Sequence, residues 1–387
     1  MLTMENSTPI DRISNLPDEL LCHILSFLPT KVAFTTTVLS KRWTPLFKLL
    51  TTLHFHYESV AWITLSDITF SSFVDKVIFS TKLIKTFHLN CHSKHSYRFN
   101  HWIKAAKQHP LENLELCSTF HYLMITLRPS NFIFPKLVVL KLTSLKVDDF
   151  ISVDLPSLKT LRLIYVNFTT KDNFNKLLNG CPILEDLETR DIYCSEQRDG
   201  AGRVKTLSNL TRANISTCYV PIKAIPNVQV LHLQGLHLDR EIKSFYRDFL
   251  VLQNLIHLEL RFNNIHHWND DVMKVLKNCS KLQILTITKL FDLYNQTLDR
   301  IWKNPKSIPK CISSHLRSCT LNLDGIIDGS QFATYILKNA PLLRVMKINA
   351  LAEPRSNQDA LKELESCPRI SSECELSISF TEYEFWR

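Results

Sequence analysis

Residues 111–142 read LENLELCSTFHYLMITLRPSNFIFPKLVVLKL, and the stretch begins and ends on the same device. LENLEL at Leu111 and LVVLKL at Leu137 both put apolar residues first, fourth and sixth. The fourth and sixth flank a polar fifth, the alternation of a short strand with one buried face. Moving outward, the same hexad stands at LTTLHF (Leu50), IKTFHL (Ile84), LKTLRL (Leu158), LEDLET (Leu184) and LTRANI (Leu210). It continues at VQVLHL (Val228), LIHLEL (Leu255) and LQILTI (Leu282), with fainter copies LRSCTL (Leu316) and LRVMKI (Leu343).

Most neighbouring copies start 26 or 27 residues apart. The departures are 21 residues from Leu137 to Leu158, 18 from Leu210 to Val228, and two gaps of 34. A period of about 20–29 residues is that of leucine-rich repeats. The intervening segments NFNKLLNGCPILEDL, DVMKVLKNCSKLQIL and HWIKAAKQHPLENLEL carry apolar residues at helical spacing. Gly180 and Pro182 are expected to close the first of these helices. No single unit buries its own apolar face, so stacked units share one core. The expected fold class is α/β: a strand–helix solenoid of horseshoe type. Its concave side presents strand positions three, five and seven. There Lys141, Arg162, Glu188, Arg190, His232, His257, Glu259 and Arg261 form a polar surface of mixed sign, suited to reading an unknown protein target.

Composition narrows the function classes. The chain has 387 residues, a net charge of +9 and no run of five Lys or Arg, which argues against nucleic acid as a partner. Its six glycines form no G-x-G-x-x-G, P-loop or G-x-S-x-G pattern, and phosphate cradles and nucleophile elbows need glycine. No apolar run of about 18 residues is present, so no membrane span is expected. MLTMENSTPIDR lacks the pattern of a secretory signal. The 11 cysteines include no C-x-x-C pair and read as reduced thiols of a cytoplasmic or nuclear protein.

Catalysis and metal binding find little support. His88, Cys91, His92 and His95 in FHLNCHSKH lack a second pair at zinc-finger distance, and structural zinc needs four convergent ligands. His54 and His56 share one face of a strand, but two ligands do not close a site. His266 and His267 read as loop residues. Asp148–Asp149 and Asp270–Asp271 read as helix starts. No nucleophile, base and orienting group emerge together. The expectation is no catalytic residue, no metal and no cofactor.

The amino-terminal segment has a different rhythm. Pro17, Asp18 and Glu19 suit a helix start, followed by Leu20, Leu21, Ile24, Leu25 and Leu28 at three- and four-residue spacing. Pro29 ends it. Thr30 is expected to cap a second helix with Val32, Ala33, Val38 and Leu39, and Ser40 a third with Trp43, Leu46 and Phe47. About 40 residues rarely hold a core unaided. The segment is therefore either a solenoid cap or a cluster whose spare apolar surface belongs to a partner.

DRISNLPDELLCHILSFLPTKVAFTTTVLSKRWTPLF resembles an F-box of the form common in plants, in its two Leu-Pro steps, its LSKRW ending and its helical spacing. Val32 and Ala33 stand where that family often has an acidic residue. IPKCISSHLRSCTLNLDGI, LKNAPLLRVMKINA and LKELESCPRISSECELSISF resemble the FBD region that ends many plant F-box proteins with leucine-rich repeats. The resemblance implies an F-box over residues 9–50 with three helices, repeats over 51–305 and an FBD region over 306–387 that continues the solenoid. It implies a substrate-recognition subunit of an SCF-type E3 ubiquitin ligase, docked on a Skp-type adaptor alongside cullin and a RING protein, with no bond-making chemistry of its own. The family motif maps the adaptor-facing or adaptor-supporting positions onto Leu16, Pro17, Leu20, Ile24, Leu28, Pro29, Val38, Leu39 and Trp43. The rival reading is a repeat scaffold that binds protein with no ligase link.

Overall fold

The computed structural model describes residues 13, 15–57, 67–119, 123–128, 131–196, 203–216, 219–236, 252–263, 268–290, 305, 307–323, 326–351 and 358–381. The stretch MLTMENSTPIDR, the His266–His267 loop, Cys218 and the side chains of Asp270–Asp271 lie outside the described residues. The fold is mixed α/β with parallel sheet, in two compact units, 1–156 and 157–387.

The first unit opens with helices α1 (Asp18–Ser26), α2 (Thr30–Thr35) and α3 (Trp43–Phe47). Strands β1 (Thr52–His56), β2 (Thr86–Cys91), β3 (Asn113–Ser118) and the strand Val139–Thr143 then pair in parallel, in chain order. Helices Asp67–Ser80 and Ser96–Ala106 fill the connections from β1 to β2 and from β2 to β3. They are tied to each other by Asp75, which takes the Arg98 guanidinium on one oxygen and the Trp102 indole N–H at 2.7 Å on the other.

The second unit pairs strands in parallel from Thr160–Ile164 through Asp186–Arg190, Arg212–Ser216, Val230–Leu236 and His257–Asn263. The ladder continues through Ile284–Leu290, Ser318–Leu323 and Val345–Leu351 to Glu375–Thr381.

Each hexad behaves as its pattern predicts. Positions one, four and six are buried in every copy, from Leu50, Leu53 and Phe55 to Leu343, Met346 and Ile348. Each such leucine contributes about 1.5–3 kcal/mol by leaving water. Because the strands pair in register, the fourth and sixth residues stack on their counterparts from unit to unit, as Leu114 on Leu140 and Leu116 on Leu142. Short units lack an α-helix. The 21-residue unit uses the short strands Leu145–Val147 and Ser152–Asp154, and the 18-residue unit uses a 3-10 turn, Ile222–Ala224.

The structure adds a strand the pattern hides: Glu375–Thr381 pairs with Val345–Leu351 and sets Leu376 and Ile378 in register with Met346 and Ile348. Ser371 is buried because its hydroxyl donates to the Leu343 carbonyl at 2.7 Å.

Several local expectations change. Gly180 closes the helix Lys171–Asn179 as expected, but at φ −80° and so without a left-handed cap. That conformation appears instead at Ser144, Tyr165 and Asp191, each the eighth residue of its unit. Asp148 and Asp149 start no helix; they follow the strand Leu145–Val147, and Asp148 faces Arg128 at 3.6 Å. Among the described residues all cysteines are free. Burial pushes the Cys181, Cys311 and Cys319 thiols up to about 12, so they sit in the core as protonated thiols. No helix among the described residues is long and apolar enough to cross a membrane.

Candidate functional site

The three amino-terminal helices carry two apolar stripes. On α1, Leu21 and Leu25 are buried, while Leu20, Ile24 and Phe27, at i, i+4 and i+7, are exposed. Phe27 is 74% exposed, with its ring edge-on to His23 at 4.8 Å. Beyond α2 the chain tightens into a 3-10 turn, Thr36–Val38, as Thr35, Thr36 and Thr37 each bond back to the carbonyl three residues earlier at 2.7 Å. That turn leaves Val38 85% exposed and Leu39 also in solvent. Val32 is exposed as well.

The nine motif positions therefore separate. Pro17, Leu20, Ile24, Pro29, Val38 and Leu39 are exposed, Leu16 and Leu28 are half-buried, and Trp43 is buried at 8%. Phe27 joins the exposed set without having been expected there; the α1 spacing from Leu20 and Ile24 was the available signal. Thr30 and Ser40 do not cap helices. Neither α2 nor α3 has a side-chain cap. The Thr30 hydroxyl instead accepts the His54 N–H at 2.7 Å, satisfying an amide of β1, the first strand of its sheet. Arg42 clasps the start of α1: its guanidinium meets Asp18 at 2.6 Å and donates to the Leu16 carbonyl at 2.6 Å.

The outward strand positions are paired among themselves. Lys141 meets Glu115 at 3.0 Å, Arg162 and Arg190 flank Glu188 at 3.5 and 3.3 Å, and Glu259 lies between His232 at 3.2 Å and Arg261 at 3.8 Å. His257 packs against the His232 ring at 5.1 Å, and burial followed by His232 lowers its pKa against the pull of Glu259. A second ladder, not foreseen, runs along position seven. Asn322 donates to Thr288 at 3.0 Å, Asn349 to Asn322 at 2.7 Å, and Ser379 to Asn349 at 2.6 Å. Only the shared position in successive units signals it.

The histidines regroup. Cys91 is buried on the core side of β2, and His95 is buried with Ser71 at 3.0 Å from its Nδ1. His92 lies against Tyr57. His88 turns to the other face, in register with His54, where His54, His56 and His88 bring one nitrogen each to within 4.8 Å of one another. Burial pushes His88 down to about 4, helped by His56, His54 and Lys141 and opposed by Glu115. At neutral pH His88 is therefore uncharged, and its 3.5 Å approach to Glu115 is not an ion pair.

Three family profiles match the chain: F-box domain at residues 13–50, FBD at 303–348, and the leucine-rich repeats of the FBD-associated F-box protein At5g56370 at 99–240. The chain is similar to the FBD-associated F-box protein At3g50710 of Arabidopsis thaliana, 30% identical with 95% of this chain and all of that protein aligned. It is also similar to two other Arabidopsis thaliana proteins. One is the FBD-associated F-box protein At4g10400, at 28% identity over 96% of this chain and 100% of that protein. The other is the F-box/FBD/LRR-repeat protein At4g00160, at 29% over 96% of this chain and 94% of that protein. The two helical stripes at the amino terminus, the hexad strands and the FBD match thus fall in one order along one chain, which belongs to the plant family of FBD-associated F-box proteins with leucine-rich repeats.

Proposed function

We propose that this chain is the substrate-recognition subunit of an SCF-type E3 ubiquitin ligase. The observation that carries the reading is the second apolar stripe. Leu20, Ile24, Phe27, Val38 and Leu39 lie exposed on helices whose other side is already packed. A surface of that kind fits a helical adaptor. In this reading the F-box (9–50) docks a Skp-type adaptor, and through it cullin and a RING protein. The repeats (51–305) and the FBD region (306–387) form one curved solenoid. Its outward strand positions, Lys141, Arg162, Glu188, Arg190, His232, His257, Glu259 and Arg261, meet the target protein. The chain positions that target for ubiquitin transfer by others and does no bond chemistry itself. It works in the cytoplasm, the nucleus or both.

The test is binding of the purified full chain to a recombinant Skp-type adaptor. Ile24→Asp with Val38→Asp, both at exposed positions, is expected to weaken binding at least about thirtyfold while circular dichroism stays unchanged. A wild-type chain that ignores the adaptor, under conditions where another F-box protein binds it, overturns the proposal.

A further inference from the structure

We propose that His54, His56 and His88 form a binding site for a divalent transition-metal ion, with zinc the best-fitting probe. His54 and His56 alternate onto one face of β1, and His88 stands directly across from His54 on β2. Their three nitrogens already converge within 4.8 Å of one another. Nitrogens bound tetrahedrally at about 2.0–2.1 Å from zinc stand about 3.3 Å apart, so small side-chain rotations complete the set. Imidazole nitrogens are the ligands that zinc and its neighbours in the transition series prefer.

The surroundings support a cation. Glu115, across from His88 on β3, approaches it with Oε1 at 3.5 Å and keeps Oε2 on Lys141 at 3.0 Å. A carboxylate beside a ligating histidine both orients the ring and balances the cation's charge. His56 is exposed, which gives an ion access from solvent. The site also has a structural neighbour. The His54 amide is the one held by Thr30, so an ion here fastens β1 to β2 beside the amino-terminal helices.

The rival account is three rings packed edge to face, His54 on His88 at 5.4 Å and His56 on His88 at 4.5 Å, with no ion. Calorimetric titration of the metal-stripped full chain with zinc chloride separates the two. The expected result is one equivalent bound, weakened at least about tenfold in His56→Asn and in His88→Asn. A readout that needs no variant is diethyl pyrocarbonate labelling of the wild-type chain, followed by peptide mass spectrometry. Zinc is expected to protect His54, His56 and His88 and to leave the exposed His101 reactive. Zinc affinity unchanged in both variants, no saturable binding, or unaltered labelling of the three histidines overturns the proposal.

Discussion

Thr30 shows how one side chain changes role when its tertiary neighbours are known. Its sequence context suggests a helix cap; its hydroxyl is spent on the His54 amide, and the residue is 1% exposed. Thr30→Val keeps the shape but leaves a partly buried N–H unpaired, which costs about 1–3 kcal/mol. Urea unfolding of the variant is expected to show a lower midpoint by that amount. Asp191 makes the complementary case. Its φ of 51° lies in the left-handed region, where a β-branched residue is an outlier. Asp191→Val is expected to destabilise by about 1–2 kcal/mol, whereas Asp191→Gly leaves stability equal or raised. The same unfolding assay decides both. Neither role was legible in the sequence, because each depends on a partner or a turn that no spacing rule encodes.

At the scale of elements, the hexads were fully legible, since burial of positions one, four and six follows from strand alternation alone. What the pattern hid was the last strand, Glu375–Thr381, whose inward residues Leu376 and Ile378 are only half-buried. It also hid the division of α1 into two apolar sides; composition shows a greasy helix but not which leucines face inward. The helix Ile326–Asn339 carries a further constraint. A Cβ on Gly329 would fall on the buried Leu323 side chain. Alanine gains about 1 kcal/mol of helix propensity there, yet overpacking costs typically about 1–3 kcal/mol. Gly329→Ala is therefore expected to lower the thermal midpoint, against the usual effect of such a change in a helix.

For the whole molecule, charge and histidine chemistry act together. Outward pairs such as Lys141–Glu115 and Arg162–Glu188 hold opposite charges in contact within the chain, and the net charge of +9 is what remains beyond such pairs. Pairing of that kind was invisible in the sequence because its partners lie 26 residues apart. Burial, the largest influence on each, holds His54, His88, His109 and His257 below the ordinary imidazole value. A histidine so held stays neutral in the folded chain while the unfolded chain already takes up a proton. The stability it contributes is complete above about pH 6.5 and is lost as pH falls through the folded values. The urea midpoint is expected to drop between about pH 7.5 and about pH 5, and to drop less in His257→Gln, which cannot titrate. The in-order pairing of strands has a last consequence, for synthesis. Within each unit every strand of the long ladder joins the ladder strand of the preceding repeat, so a ribosome releases each repeat onto a partner already in place. Loop closures stay short and contact order stays low for a parallel sheet of this size. Growth of the sheet then follows the direction of translation, from the helical amino terminus outward.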